Sequence, residues 1–123
     1  MSVESKVVDA PTLSIVCPVF NEAAVLCELL RRLTHSAMQT GLSYELLLVD
    51  DASTDESPRF FSALANEFSF RVIRQERRGG QFRATQAGLL AARGEWLVVL
   101  DGDLQDPPEA IVRLLEAQRA SAA

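Results

Sequence analysis

One run of this chain concentrates groups that could do chemistry: Leu100-Asp101-Gly102-Asp103-Leu104-Gln105-Asp106-Pro107-Pro108-Glu109. It follows the apolar stretch Trp96 to Leu100, which reads as a buried strand, and it closes in a Pro-Pro-Glu step that reads as a helix start. Aspartate carboxylates and the Gln105 amide oxygen therefore crowd the end of a strand, where open α/β sheets hold their ligands. Asp101 and Asp103 lie two residues apart, and carboxylates that close repel unless a cation or a proton sits between them. Hard oxygen ligands of this kind suit Mg²⁺ or Mn²⁺, held jointly with a substrate phosphate.

The elements that must position this run alternate. Leu13 to Val19 reads as a first strand, stopped by Pro18, and Asn21 as the cap of the helix that follows. Leu26, Leu29, Leu30, Leu33 and Ala37 recur at helical spacing, and Gly41 ends that helix. Glu45 to Asp50 is a second strand; its Leu46-Leu47-Leu48-Val49 run has no polar alternation, as in a strand covered on both faces. Ser57-Pro58 supplies a cap and a first-turn proline for a helix lined by Phe60, Phe61, Leu64 and Phe68. Phe70 to Arg74 forms a third strand, Gln75 to Gly80 a basic glycine-bearing loop, and Gln81 to Ala92 a third helix. Strand four spans Trp96 to Leu100 and the last helix Pro108 to Arg119. This order implies an α/β fold, a Rossmann-like open parallel sheet with helices on both faces and right-handed crossovers. The expected domain covers 12–119, with tails over 1–11 and 120–123.

Three strand ends carry unusual residues: Pro18-Val19-Phe20-Asn21-Glu22, Asp50-Asp51 and Asp101-Gly102-Asp103. In a parallel sheet these ends share one edge, so the clusters should converge on one crevice. Each has a plainer reading beside the functional one. Asn21-Glu22 caps a helix, and Asp50-Asp51 with Ser53 and Asp55 forms turns. Three acidic turns at one edge, however, cost repulsion for no structural gain, which favours a site at Asp101-Gly102-Asp103. Arg77-Arg78-Gly79-Gly80-Gln81 either helps to hold a phosphate at a helix start or is a solvated turn. Gly88 marks close helix–sheet packing. His35 reads as a surface residue, and Cys17 and Trp96 as core.

Several chemistries are excluded by what is missing. Counted from Asp101, a helix–loop–helix calcium site would need Gly at 106 and Glu at 112, where Asp106 and Val112 stand. Receiver domains and haloacid-dehalogenase-type phosphatases need a lysine near their aspartates, and the one lysine is Lys6. No glycine-rich dinucleotide fingerprint follows the first strand, and a single histidine supplies no nucleophile–base pair near the acidic edge. With 123 residues the chain suits one domain. Its net charge of −5 argues against nucleic acid as a partner. Cys17 and Cys27 match no metal spacing and read as reduced thiols. No apolar stretch approaches a bilayer span, and Met1 to Pro11 lacks the apolar core of a signal peptide, so a cytoplasmic location is expected.

From Leu13 to about Glu109 the chain resembles family 2 glycosyltransferases of the GT-A fold. The resemblance rests on Pro18-Val19-Phe20-Asn21-Glu22, on Val49-Asp50-Asp51-Ala52-Ser53-Thr54-Asp55, on Gly80-Gln81 with Ala84 and Gly88, and on the run from Asp101 to Glu109. The Asp-Leu-Gln-x-Pro-Pro-Glu form is similar to the branch that transfers sugars to polyprenyl phosphates. The resemblance implies that Pro18, Phe20, Glu22, Val49, Asp51 and Asp101 surround the base and ribose of a UDP- or GDP-linked sugar. It implies that Asp103 and Gln105, with Asp101, bind Mg²⁺ or Mn²⁺ on the diphosphate. Phe20 stands where the family usually has Tyr, which removes a hydroxyl contact and keeps a stacking surface. The family's acceptor half, with its catalytic base, has no counterpart in these residues, so the expectation is a donor-binding half that is inactive alone. A face left uncovered by that half would favour self-association. The other class of reading is a non-catalytic α/β module that binds a nucleotide or a partner chain.

Overall fold

The computed structural model describes residues 10–122; Lys6 and the rest of the N-terminal segment up to residue 9 lie outside them, as does residue 123. Four parallel strands, β1 (Leu13–Val19), β2 (Tyr44–Asp50), β3 (Arg71–Arg74) and β4 (Trp96–Val99), form one sheet in the order β3-β2-β1-β4. Four α-helices connect or follow them: α1 (Leu26–Gln39), α2 (Ser57–Leu64), α3 (Gln81–Ala91) and α4 (Ala110–Ala122). A single 3₁₀ turn, Ala23–Val25, precedes α1. The strand order reverses between β1 and β4, the switch point at which open α/β sheets bind ligands.

Alternation along β1 divides the core. Leu13, Ile15, Cys17 and Val19 pack with Leu46 and Leu48 of β2 against α1, Phe61 of α2 and Ile111 and Leu115 of α4. Val16, Leu47 and Val49 face the other way, against Ala84 of α3. Helices thus cover both faces, as the run of unalternated apolar residues in β2 requires. A Cβ on Gly88 would overlap Val16 and come 2.9 Å from Val49, so α3 lies close on the sheet because residue 88 has no side chain.

At the sheet edge opposite the crevice, Glu45 is a hub. It accepts hydrogen bonds from Ser14 Oγ (2.6 Å), the Arg93 amide (2.7 Å) and Arg71 (3.0 Å), and Ser14 Oγ in turn accepts from the Gly94 amide (2.8 Å). Desolvation of this largely buried carboxylate is outweighed by those hydrogen bonds and the Arg71 charge, which hold its pKa below the usual range. Glu45→Ala strands several polar groups and is expected to cost about 2 kcal/mol in urea unfolding. Because the folded pKa is depressed, Glu45's contribution is complete above the unfolded value of about 4.3 and disappears as pH falls through the folded one.

Several local expectations change. Pro18 does not stop β1, which runs on to Val19 with Pro18 paired to Val49. β4 is an edge strand exposed on one face, with Leu97 48 % and Val99 39 % exposed, and Trp96 only half-buried. Phe60 is exposed and α2 ends at Leu64, while Phe68 packs on the core from beyond the helix. Ser57 is the first residue of α2 rather than its cap: its hydroxyl has no hydrogen-bond partner, and its amide donates to Asp55 Oδ1 (2.8 Å). α4 starts at Ala110, two residues after Pro108, and continues to Ala122, because nothing in its alanine-rich end breaks a helix.

Candidate functional site

The three marked strand ends do meet. Pro18, Phe20, Glu22, Asp51, Asp101 and Asp103 line one crevice of about 140 Å³, together with Arg78, Gln81 and Gly102. β1 delivers the Phe20 side, β2 delivers Asp51, and the turn after β4 delivers the acidic pair. Backbone hydrogen bonds prolong the sheet into these loops: the Asp51 amide donates to Val19 O (3.0 Å) and the Gly102 amide to Pro18 O (3.1 Å). Gly102 admits no larger residue without movement, since a Cβ there would overlap Val19 and lie 2.8 Å from Pro18 O.

Each crevice loop contains one non-glycine residue in the left-handed region: Asn21 (φ 52°), Ala52 (φ 60°) and Leu104 (φ 63°). These are the only such residues among those described, and left-handed backbone costs a non-glycine residue about 1–2 kcal/mol. Strain of this kind persists where surrounding contacts over-determine the chain, as at ligand sites. Asn21 is part of that restraint rather than a helix cap. Its Oδ1 accepts from the Thr54 amide (2.8 Å) and the Asp55 amide (3.1 Å), and its own amide donates to Ser53 Oγ (2.9 Å). Ser53 is held in turn by buried Asp50, whose Oδ1 accepts from the Ser53 amide (3.1 Å) and hydroxyl (2.5 Å). Asp50 therefore shapes the loop and Asp51 faces the crevice.

Asp51 is 4 % exposed, and both its oxygens are engaged: Oδ1 accepts from the Gly79 amide (2.8 Å) and Oδ2 from the Gly80 amide (2.9 Å). The two amides of the glycine loop are thus given to Asp51, which ties this exposed loop to the end of β2. That clamp brings Arg78 over the Phe20 ring, with 3.8 Å from the guanidinium carbon to the ring centroid, and closes one end of the crevice. Gln81 Nε2 donates to Asp101 Oδ1, another residue of the crevice lining.

The carboxylates interact strongly. Desolvation, then the charges of Asp106 and Asp103, push the Asp101 pKa up; desolvation, then Asp103, Asp55 and Asp101, push Glu22 up. The same field reaches the core: burial first, and these acidic groups after it, raise the Cys17 thiol far above its ordinary value. Cys17 and Cys27 are both free, Cys17 buried and Cys27 exposed. Maleimide is therefore expected to modify one thiol per native chain, at Cys27, and a second only on unfolding, as read by intact mass.

Two expected site residues lie apart from the crevice lining. Val49 is fully buried beneath α3, so the strand's alternation makes it core. Gln105 is exposed, and its amide donates to Asp103 Oδ1 (3.0 Å), which shapes the turn. Sequence reasoning singled out the Arg77–Gln81 loop without its target; Arg78 and Gln81 line the crevice, and the stacking of Arg78 on Phe20 has no linear signal. Glu109, at the end of the motif, forms a two-pronged ion pair with Arg32 of α1 (2.9 and 2.5 Å) that holds its pKa down to about 2. Among the described residues no three His, Cys, Asp or Glu side chains form a ready metal cage. The donor set is the acidic pair, whose repulsion a divalent cation would relieve and whose open positions donor phosphates could fill.

Comparisons with known proteins bear on the family and the fold. The model of the family described as Glycosyl transferase family 2 matches residues 14–123. Over 105 residues the chain is 43% identical to an undecaprenyl-phosphate 4-deoxy-4-formamido-L-arabinose transferase of Pseudomonas aeruginosa, covering 84% of this chain and 31% of that protein. It is 45% identical, over the same shares, to the enzyme of that name from Pseudomonas fluorescens. Among solved structures, S. aureus TarS 1-349 in complex with UDP-GlcNAc superposes with a TM-score of 0.70 at 23% identity, over 89% of this chain and 31% of that one. The mannosyltransferase PcManGT from Pyrobaculum calidifontis, in complex with GDP-Man and Mn²⁺, superposes with a TM-score of 0.59 at 24% identity, over 81% and 30%. The likenesses to solved structures show a shared fold. The chain spans about a third of the length of the curated relatives it matches.

Proposed function

Because this chain belongs to glycosyl transferase family 2, we propose that its crevice binds the nucleoside diphosphate of a sugar donor and forms the donor half of an inverting transferase. The observation that carries this reading is the meeting of Phe20, Glu22, Asp51, Asp101 and Asp103 in one crevice at the switch point of the sheet. Phe20 supplies a face on which a base can stack, with Pro18 beside it. Asp51 and Glu22 border the base and ribose. At about 140 Å³ the crevice is smaller than a ligand pocket of typical size, so a base reaching Phe20 displaces Arg78 from the ring.

The acidic pair fits a divalent cation. Asp103 and Asp101, with Gln105 from the same turn, would hold Mg²⁺ or Mn²⁺, which when bound offsets charge on the diphosphate leaving group. PcManGT, solved with GDP-Man and Mn²⁺, supports this choice of ion. The residues themselves do the positioning: Gln81 orients Asp101, the Gly102 amide ties the turn to β1, and Arg32 anchors the far end through Glu109.

The acceptor is a polyprenyl phosphate, by the names of the relatives at 43% and 45% identity. The reading assigns the catalytic base and the acceptor contacts to the remaining length of such relatives, of which this chain spans about a third, and these residues by themselves are expected to transfer no sugar. Work on such an acceptor belongs at the cytoplasmic face of a membrane, although no described helix is long and apolar enough to cross one. The uncovered β4 face, with Leu97 and Val99, favours self-association of the isolated chain.

Calorimetric titration of UDP- and GDP-sugars, with and without Mn²⁺, tests the reading. Binding of one of them that strengthens at least about tenfold with Mn²⁺ is the expected result. Binding indifferent to the ion would favour a non-catalytic nucleotide module, and no binding at all would remove the donor site. Sugar transfer to polyprenyl phosphate by this chain alone would overturn the claim of inactivity.

A further inference from the structure

α3 is built inside out relative to α1. Its small residues, Ala84 and Gly88, face the sheet, while Phe82 is 76 %, Leu90 89 % and Leu89 37 % exposed. In α1, by contrast, Leu26, Leu29, Leu30 and Leu33 are all fully buried. The close approach at Gly88 explains why small residues face inward, but not why large apolar ones face out. Scattered exposed leucines need no explanation; here the apolar residues share a surface with cations. Between Arg77 and Gly94 the chain carries Arg77, Arg78, Arg83 and Arg93 and no acidic residue, in a protein of net charge −5, with Glu76 and Glu95 just outside. Among the described residues Arg77 and Arg83 make no ion pair, and they border one groove with Leu90 and a single acidic residue, Glu76.

We propose that the outer face of α3 and the loop before it form a docking surface for an anionic lipid bilayer. Exposed Phe and Leu side chains on a basic surface segment are the chemistry of an interfacial helix: the apolar groups enter the headgroup boundary and the arginines pair with anionic lipid. A nucleic acid would satisfy the arginines and leave Phe82 and Leu90 without a role. The surface adjoins the crevice, since Arg78 and Gln81 line it at the base of the same helix. Docking there sets the crevice mouth beside the membrane, within reach of a lipid-borne phosphate. This orientation rests on the donor-site reading; the surface itself does not.

Vesicle flotation of this chain tests the proposal, with phosphatidylcholine vesicles against vesicles containing roughly 30 % phosphatidylglycerol at about 0.1 M salt. The chain is expected to float with the anionic vesicles and not with the neutral ones. Arg77→Glu and Arg83→Glu are each expected to weaken binding about fivefold or more, and Phe82→Ser about tenfold. Phe82→Trp should give emission that shifts to the blue on anionic vesicles beyond any change at Trp96. Absence of flotation, equal flotation on neutral vesicles, or flotation indifferent to Phe82→Ser would overturn the proposal. Nucleotide titration of the same variants, which leave the crevice residues untouched, separates the two ideas. Unchanged nucleotide binding with lost flotation supports both, and flotation without any nucleotide binding leaves the docking surface standing and removes the donor site.

Discussion

Asp103→Asn is expected to abolish the Mn²⁺-dependent part of nucleotide binding, an effect of about tenfold or more, while leaving the unfolding midpoint nearly unchanged. Asp103 is exposed at the crevice, so it contributes little to the core. Its neighbours repel it: its charge is one of the causes that raise the pKa values of Asp101 and Glu22. Removing it should even relax the free chain slightly, and a variant that binds less but unfolds no sooner is the mark of a group kept for its ligand. Cys27→Ser, on the exposed face of α1, serves as the neutral control. The pH dependence follows from the same groups. Desolvation, and then neighbouring charge, raise Asp101 and Glu22 in the folded chain, so their strain is absent at low pH and grows as pH rises through the folded values. A bound cation relieves that strain only where the carboxylates are ionised. Stabilisation by Mn²⁺, read as the shift in Tm, should therefore be largest near neutrality and fade as pH falls through the folded pKa values. A shift that grows towards acid pH would contradict the assignment.

Two glycine substitutions should separate fold from site. Gly88→Val places branched carbon against Val16 and Val49 in a close helix–sheet contact, and is expected to lower stability by about 3 kcal/mol, or Tm by about 10 °C. Gly102→Ala meets an equally close neighbourhood, Val19 and Pro18 O, but in a turn at the sheet edge whose backbone can shift. Its main cost should fall on the site, because the same shift moves Asp101 and Asp103. Thermal unfolding and nucleotide titration of both variants should give opposite rankings: Gly88→Val the less stable, Gly102→Ala the weaker binder relative to its stability. Equal losses of both properties in Gly102→Ala would mean that the turn belongs to the folding core.

Much of this architecture could be read in the chain. Helical spacing of the α1 leucines and the unalternated run in β2 express local periodicity, and strand ends of a parallel sheet must share an edge, so the crevice followed from topology. What could not be read depends on position in three dimensions. Trp96 to Leu100 is as apolar as a central strand, and nothing in it says that β4 lies at the edge with Leu97 and Val99 uncovered. Asn21 has the chemistry of a helix cap, but its oxygen meets the amides of Thr54 and Asp55, more than thirty residues away. Asp51 and the glycine loop were both legible as site elements; that one satisfies the other is a tertiary fact, and so is the stacking of Arg78 on Phe20. Val49 illustrates the limit of motif transfer: two residues from Asp51, it points into the core.

One crevice, at the reversal between β1 and β4, is proposed to take a nucleoside diphosphate with a divalent cation. Two-dimensional amide NMR of the ¹⁵N-labelled chain, titrated with UDP or GDP and diamagnetic Mg²⁺, tests it most directly. The amides of Phe20, Asp51, Gly79, Gly80, Gly102 and Asp103 are expected to shift together and saturably, with Gly79 and Gly80 reporting the release of Arg78 from Phe20. Saturable shifts clustered at the opposite sheet edge around Glu45 and Arg71, or no saturable shift in the crevice with either nucleotide, would contradict it.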